Sequence, residues 1–101
     1  MKVKDLGEGV SIYLEDIPDV ILVVAPDKKD GNRAMVRFVW KYHIELAGEP
    51  LIMEYGRVTV KLSRYDVKDF EELKKYILAN PQNFLRGLLM ELLKRAEKAE
   101  R

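Results

Sequence analysis

The stretch Ala34 to Leu46, AMVRFVWKYHIEL, decides the fold because its apolar residues recur at every second position. The even positions are all apolar or aromatic, whereas the odd positions are mostly polar; the even set is Ala34, Val36, Phe38, Trp40, Tyr42, Ile44 and Leu46. Side chains of a strand alternate between two faces, so the pattern predicts one long β-strand with a buried face that includes Trp40 and Tyr42. At about 3.3 Å per residue it would reach roughly 40 Å, so we expect a bend or a bulge.

Shorter strands are predicted on both sides of this stretch, separated by glycine- and proline-containing turns. They cover residues 2–6, 10–15, 20–25, 51–55 and 57–63. The run 20–25 is apolar without interruption, which is typical of a central strand buried on both faces. We expect reversals at residues 7–9 and 47–50 and a tight one at Gly56, because glycine adopts positive φ without a steric penalty. Short connections between successive strands predict an antiparallel meander.

The apolar period changes to that of a helix after residue 65. Two helices are predicted, at about 66–79 and 81–99, with Asp66 as the N-cap of the first and Asn80-Pro81 at the boundary. The fold class is therefore α+β: a mostly antiparallel β-meander of five or six strands, followed by two C-terminal α-helices packed on one face of the sheet. Residues 1–101 are expected to form a single domain.

The composition is that of a folded protein, with 48% hydrophobic and 35% charged residues and no cysteine. The absence of cysteine, of a long apolar run and of a secretory signal favours a cytoplasmic location. One glutamine, one threonine and three asparagines stand against eighteen basic and seventeen acidic residues. Depletion of thermolabile residues beside abundant charge of both signs predicts a thermophilic source.

Candidates for catalysis and metal binding are weak. His43 is the only histidine, and it is more readily explained as a surface residue of the long strand than as a catalytic base, since no nucleophile context accompanies it. The loop from Asp27 to Asn32 resembles a calcium loop, but lysines occupy its second and third positions and the EF-hand register fails. We therefore expect no enzyme activity, no cofactor and no metal.

Charge is unevenly distributed along the chain although the net charge is only +1. Residues 1–27 contain two lysines and six acidic residues, and residues 28–64 contain eight basic and four acidic residues. Mutual neutralisation of these two parts is the simpler interpretation. The alternative is a nucleic-acid-binding sheet face and rim, formed by Lys28, Lys29, Arg33, Arg37, Lys41, Arg57 and Lys61.

The second helix has more apolar surface than one contact requires. At 100° per residue its apolar side chains cover about 180°, against roughly 100° for a helix that lies on one surface. Burial between the sheet and the first helix is one explanation, and a partner surface is the other. The sequence thus predicts a non-enzymatic interaction or assembly module that binds a partner protein or itself, with a homodimer expected. The candidate partner-binding residues are Phe84, Leu85, Leu89, Met90 and Leu93.

Overall fold

A computed structural model describes residues 2–17, 19–42, 44–51 and 53–99 of the chain. Seven strands precede two helices: β1 (Lys2–Asp5), β2 (Val10–Tyr13), β3 (Val20–Pro26), β4 (Arg33–Trp40), β5 (Ile44–Leu46), β6 (Glu49–Leu51), β7 (Glu54–Lys61), α1 (Phe70–Ala79) and α2 (Pro81–Ala99). Five strands form one antiparallel sheet in the order β1-β2-β3-β4-β7, and β5 pairs with β6 in a separate hairpin. The α+β meander predicted from the sequence is confirmed.

The long strand predicted from Ala34 to Leu46 is divided in two. The expected irregularity lies where β4 pairs with β7: Phe38 is opposite Gly56, but Val39 is opposite Glu54. Tyr55 is thus the extra residue of a bulge on β7. Beyond Trp40 the chain leaves the main sheet and returns through the β5–β6 hairpin.

Three expectations for this region are wrong. Gly56 lies inside β7 and does not reverse the chain. The reversal expected at residues 47–50 is confirmed, because Ala47 and Gly48 have positive φ values of 55° and 82° that fit a two-residue hairpin turn. Tyr42 is 47% exposed, because it follows the end of β4 and no longer shares that strand's alternation. Trp40 is half-buried and meets Tyr42 edge to face, with ring centroids 5.1 Å apart.

The start of α1 also differs from the prediction, whereas the boundary between the helices is confirmed. Residues 62–65 form a single 3-10 turn, and Asp66 follows it with a left-handed φ of 57°. The N-cap is Asp69, whose carboxylate accepts a hydrogen bond from the backbone N–H of Glu72 at 2.9 Å. Glu72 in turn accepts from the N–H of Lys68, so two otherwise unpaired backbone donors are satisfied. Pro81 begins α2.

Both helices pack on the face of the sheet formed by even-numbered positions. The fully buried residues of this core come from four strands, the 3-10 turn and both helices: Val10, Ile12, Leu22, Val24, Ala34, Val36, Val60, Leu62, Leu73, Ile77, Phe84 and Leu88. The odd positions of β3, such as Ile21 and Val23, are only half-buried, so burial of β3 on both faces is incomplete. The sheet therefore has one face covered by helices and one face without helices, which we call the open face and on which Ser11 and Val39 are nevertheless buried.

Candidate partner-binding surface

Two sides of α2 have different surroundings. Phe84 and Leu88, on the side that faces the sheet and α1, are fully buried in the core. Phe84 packs against the ring of Tyr65 with centroids 5.0 Å apart, and Gly87 lets α2 approach the same ring. A Cβ atom at Gly87 would lie 3.1 Å from Cε1 of Tyr65. The absence of a side chain at this position thus sets how closely α2 lies against Tyr65.

The outward side of α2 presents large apolar side chains to solvent. Leu89 is 60% exposed, Met90 55% and Leu93 63%. Leu85, Leu89 and Leu93 are spaced by four residues and therefore follow one line along the helix, which we call the leucine ridge. Four of the five residues predicted for partner binding are thus accessible, Leu85 being half-buried. The prediction that Phe84 binds a partner is wrong, because Phe84 is fully buried and no partner can contact it without unfolding the core.

A groove runs beside the leucine ridge, between α2 and the sheet. Its volume is about 430 Å³, which falls within the range of pockets that hold small molecules or side chains. Aliphatic and aromatic side chains form most of its wall, among them Leu14, Ile17, Val20, Phe38, Leu85 and Leu89. Glu15, Asp16 and Gln82 are the polar residues that line it. Leu85 and Leu89 belong to both the groove wall and the ridge, so the two form one apolar surface. Ile17, on the other wall of the groove, is half-exposed.

The side of α2 opposite the leucine ridge is held to the rest of the chain by polar contacts. Nη2 of Arg95 donates a hydrogen bond to the carbonyl oxygen of Thr59 in β7, at 2.8 Å, and pairs with Glu91 at 3.2 Å. Glu91 also forms an ion pair with Arg64. These contacts fix the rotation of α2 about its axis, and they leave the leucine ridge on the side away from β7.

The basic residues predicted for nucleic-acid binding are partly brought together on the open face of the sheet. Arg37 lies directly opposite Arg57, and Arg33 lies opposite Lys61. Lys28 and Lys29 are exposed in the loop before β4. Lys41 follows the end of β4, with its ammonium group 5.4 Å from the ring centroid of Tyr42.

Glu54 neutralises the centre of this basic face. Its carboxylate accepts from Nε of Arg37 at 3.0 Å and from Nη2 of Arg57 at 2.5 Å. The hydrogen bond from Arg57, supported by that from Arg37, lowers the pKa of Glu54 below its usual value. Glu54 reaches this face because the bulge at Tyr55 places it opposite Val39, on the side of Arg37. Strict alternation through Gly56 would have placed it on the other face.

Cations outnumber carboxylates at one end of the open face. Arg33, Lys61 and Lys68 line a polar cavity of about 350 Å³ together with Asn32 and Ser63. Asp30 also lines it and pairs with Arg33 at 3.4 Å. Three cations against one carboxylate give this cavity a positive balance.

Several residues of these surfaces were missed by the sequence analysis. Ile17 is an isolated apolar residue in a polar turn, and that isolation was the only signal of its role in the groove. Glu54 and Lys68 gave no signal, because the bulge and the path after β7 decide where they lie. His43 falls outside the described residues, so its predicted place on the strand surface stays a prediction.

The described residues contain no group of three or more histidine, cysteine or acidic side chains that could hold a metal ion. No helix within the described ranges is long and apolar enough to cross a membrane. The carboxylates of Asp27 and Asp30 accept hydrogen bonds from the N–H groups of Lys29 and Asn32, and these contacts shape the loop between β3 and β4.

Compared with protein-family models, curated proteins and solved structures, the chain matches none of them. Its function therefore has to be inferred from the residues described above.

Proposed function

We propose that this protein is a non-enzymatic interaction module that binds an apolar helix of another polypeptide through the leucine ridge and the adjoining groove. The observation that supports the proposal most directly is the exposure of Leu89 and Leu93 beside an apolar groove. An amphipathic helix that lies in such a groove is a common mode of peptide recognition. The thermophilic source and the cytoplasmic location stay predictions from composition.

The energetics favour a covered ridge. Burying one leucine side chain stabilises a complex by about 1.5 to 3 kcal/mol relative to its exposure. Leu89, Leu93 and Ile17 are more than half exposed and lie on one connected surface, so a single partner helix can cover all three. These three side chains are aliphatic, so their contribution to this surface is apolar contact.

The experiment is a fluorescence-anisotropy titration of the protein into a labelled synthetic peptide. The probe is the α2 sequence itself, residues 81–99 with blocked ends, because it is an amphipathic helix of known apolar spacing. We expect saturable binding that Leu89→Glu in the protein weakens at least tenfold, since a charge would replace an apolar contact.

Leu78→Glu is the matched control. Leu78 is an exposed leucine of α1 that does not line the groove, so its substitution should leave peptide binding unchanged. Circular dichroism melts of both variants establish that each one folds. Absence of binding by the unsubstituted protein at about 100 μM, or equal loss in the two variants, would refute the proposed function.

A second candidate function is nucleic-acid binding by the open face of the sheet. It is supported by the cavity that Arg33, Lys61 and Lys68 line, since closely spaced cations suit a phosphate group. The neutralisation of Arg37 and Arg57 by Glu54 reduces the charge available to a polyanion. If this function holds, single-stranded RNA binds with an affinity that falls steeply between about 50 and 300 mM salt, and Lys61→Glu with Lys68→Glu abolishes binding without unfolding the protein.

A further inference from the structure

We infer that the helix bound at the leucine ridge is α2 of a second copy of this chain, packed antiparallel across a two-fold axis. This inference rests on the proposed function and names its partner. A two-fold interface uses the same patch on both subunits, so it requires a patch that is complementary to itself. The apolar spacing and the charges of α2 both meet that requirement.

The apolar part is complementary when two ridges run in opposite directions. Leu89 of one copy then faces Leu93 of the other, and the reverse contact forms by symmetry. Both side chains are more than half exposed in the single chain and become covered together. The two-fold axis passes midway between Leu89 and Leu93.

The charges beside the ridge specify the same axis. At 100° per residue, Arg86 and Glu97 differ by only about 20° around α2, so both lie on one flank of the ridge, at its two ends. Both are exposed, and neither forms an ion pair with a described residue. Their midpoint falls within half a residue of the midpoint between Leu89 and Leu93. An antiparallel pair therefore places Arg86 of each copy opposite Glu97 of the other.

A parallel arrangement lacks this agreement. In a parallel two-fold pair the axis runs along the helices, so the flank with Arg86 and Glu97 lies on opposite sides of the seam in the two copies and neither attraction forms. Acidic and basic residues that flank an apolar seam commonly select the orientation of paired helices in this way. The charge pattern of α2 thus favours the antiparallel dimer over its parallel counterpart.

The test is sedimentation equilibrium of the full chain over a wide concentration range, with charge-swap variants. The unsubstituted protein should be a dimer at high concentration and dissociate on dilution. Arg86→Glu and Glu97→Arg should each weaken the dimer about fivefold to tenfold, because each one turns two attractions into two repulsions. The double variant restores both pairs with reversed signs, so its dissociation constant should return to within about twofold of the original.

Arg86→Glu combined with Lys94→Glu serves as the matched control. It also changes two charges of α2, but it does not restore opposite charges at positions 86 and 97. It should not restore dimerisation. A monomer at all concentrations would refute the inference, and so would a dimer that the charge-swap variants do not affect. If the monomer still bound the peptide of residues 81–99, the ridge would still accept an apolar helix and only the two-fold pairing of whole chains would fail; if it did not, both proposals would fail.

Cross-linking tests the orientation independently, because the chain contains no cysteine. Single-cysteine variants Leu89→Cys and Leu93→Cys are mixed and treated with a short thiol-reactive cross-linker. The antiparallel dimer predicts that links between residue 89 of one copy and residue 93 of the other predominate in the mixture. A predominance of links between identical positions would show a parallel pair and overturn the inference.

Discussion

Two sides of α2 carry equally large apolar residues and have opposite surroundings. On one side, Phe84 and Leu88 are fully buried between the sheet, α1 and the 3-10 turn. On the adjacent side, Leu89 and Leu93 are about 60% exposed. Because Leu88 and Leu89 are consecutive, the difference arises around the helix axis: the apolar pattern defines a wide arc of the helix, whereas the neighbouring elements decide which part of that arc is covered within the chain.

The largest expected difference comes from truncating one large side chain on each of these two sides of α2. Phe84→Ala should lower the free energy of unfolding by about 3 to 5 kcal/mol, because it leaves a cavity in the core. Leu93→Ala should change it by no more than about 0.5 kcal/mol, since its side chain is already in contact with water. Urea unfolding at low protein concentration measures both values where association contributes little.

A loss of more than about 2 kcal/mol in Leu93→Ala at that concentration would break the comparison. It would mean that the side of α2 with Leu93 is covered within a single chain.

A smaller effect should follow from adding a side chain at a packed position and at an exposed position of α2. Gly87→Leu introduces a Cβ atom 3.1 Å from Cε1 of Tyr65, so the ring or the helix must shift by a few tenths of an ångström. Such overpacking costs about 1 to 3 kcal/mol, and the gain in helix propensity of about 1 kcal/mol offsets part of it. We expect a net destabilisation of up to about 2 kcal/mol, measured by urea unfolding.

Ala96→Leu is the counterpart at an exposed position of α2 and should change the free energy of unfolding by no more than about 0.5 kcal/mol. Near-ultraviolet circular dichroism gives a second readout, because displacement of the Tyr65 ring should alter the aromatic signal in Gly87→Leu alone. Equal effects of the two substitutions would show that α2 does not approach Tyr65 closely.

Much of the fold could be predicted from periodicity. Alternating apolar residues identified β2, β4 and β7, an uninterrupted apolar run identified β3, and the change to a helical period identified α1 and α2. The boundary at Pro81 was predictable because proline has no N–H to donate and suits the first position of a helix. The cap at Asp69 was not, because Asp66 and Asp69 are both good N-caps and only the 3-10 turn after β7 selects between them.

The candidate site could be predicted in outline only. The sequence identified the wide apolar arc of α2, but it grouped buried Phe84 with exposed Leu89 because the two share that arc. It also identified the basic residues of β4 and β7, but not the carboxylate of Glu54 among them. Tyr55, the extra residue of the bulge, shifts Glu54 to the opposite face of the sheet, and no local pattern announces it.

The sequence by itself determined the element types, the antiparallel meander and the faces of the elements that avoid water. These features follow from the backbone period of each residue stretch and from local turn and cap chemistry, which act over a few residues. The tertiary structure alone decided which apolar residues stay exposed, where the groove opens and which cations are neutralised. Those features depend on contacts between residues distant in the chain, such as Phe84 with Tyr65 and Arg37 with Glu54, and their geometry is set only when the sheet and helices pack together.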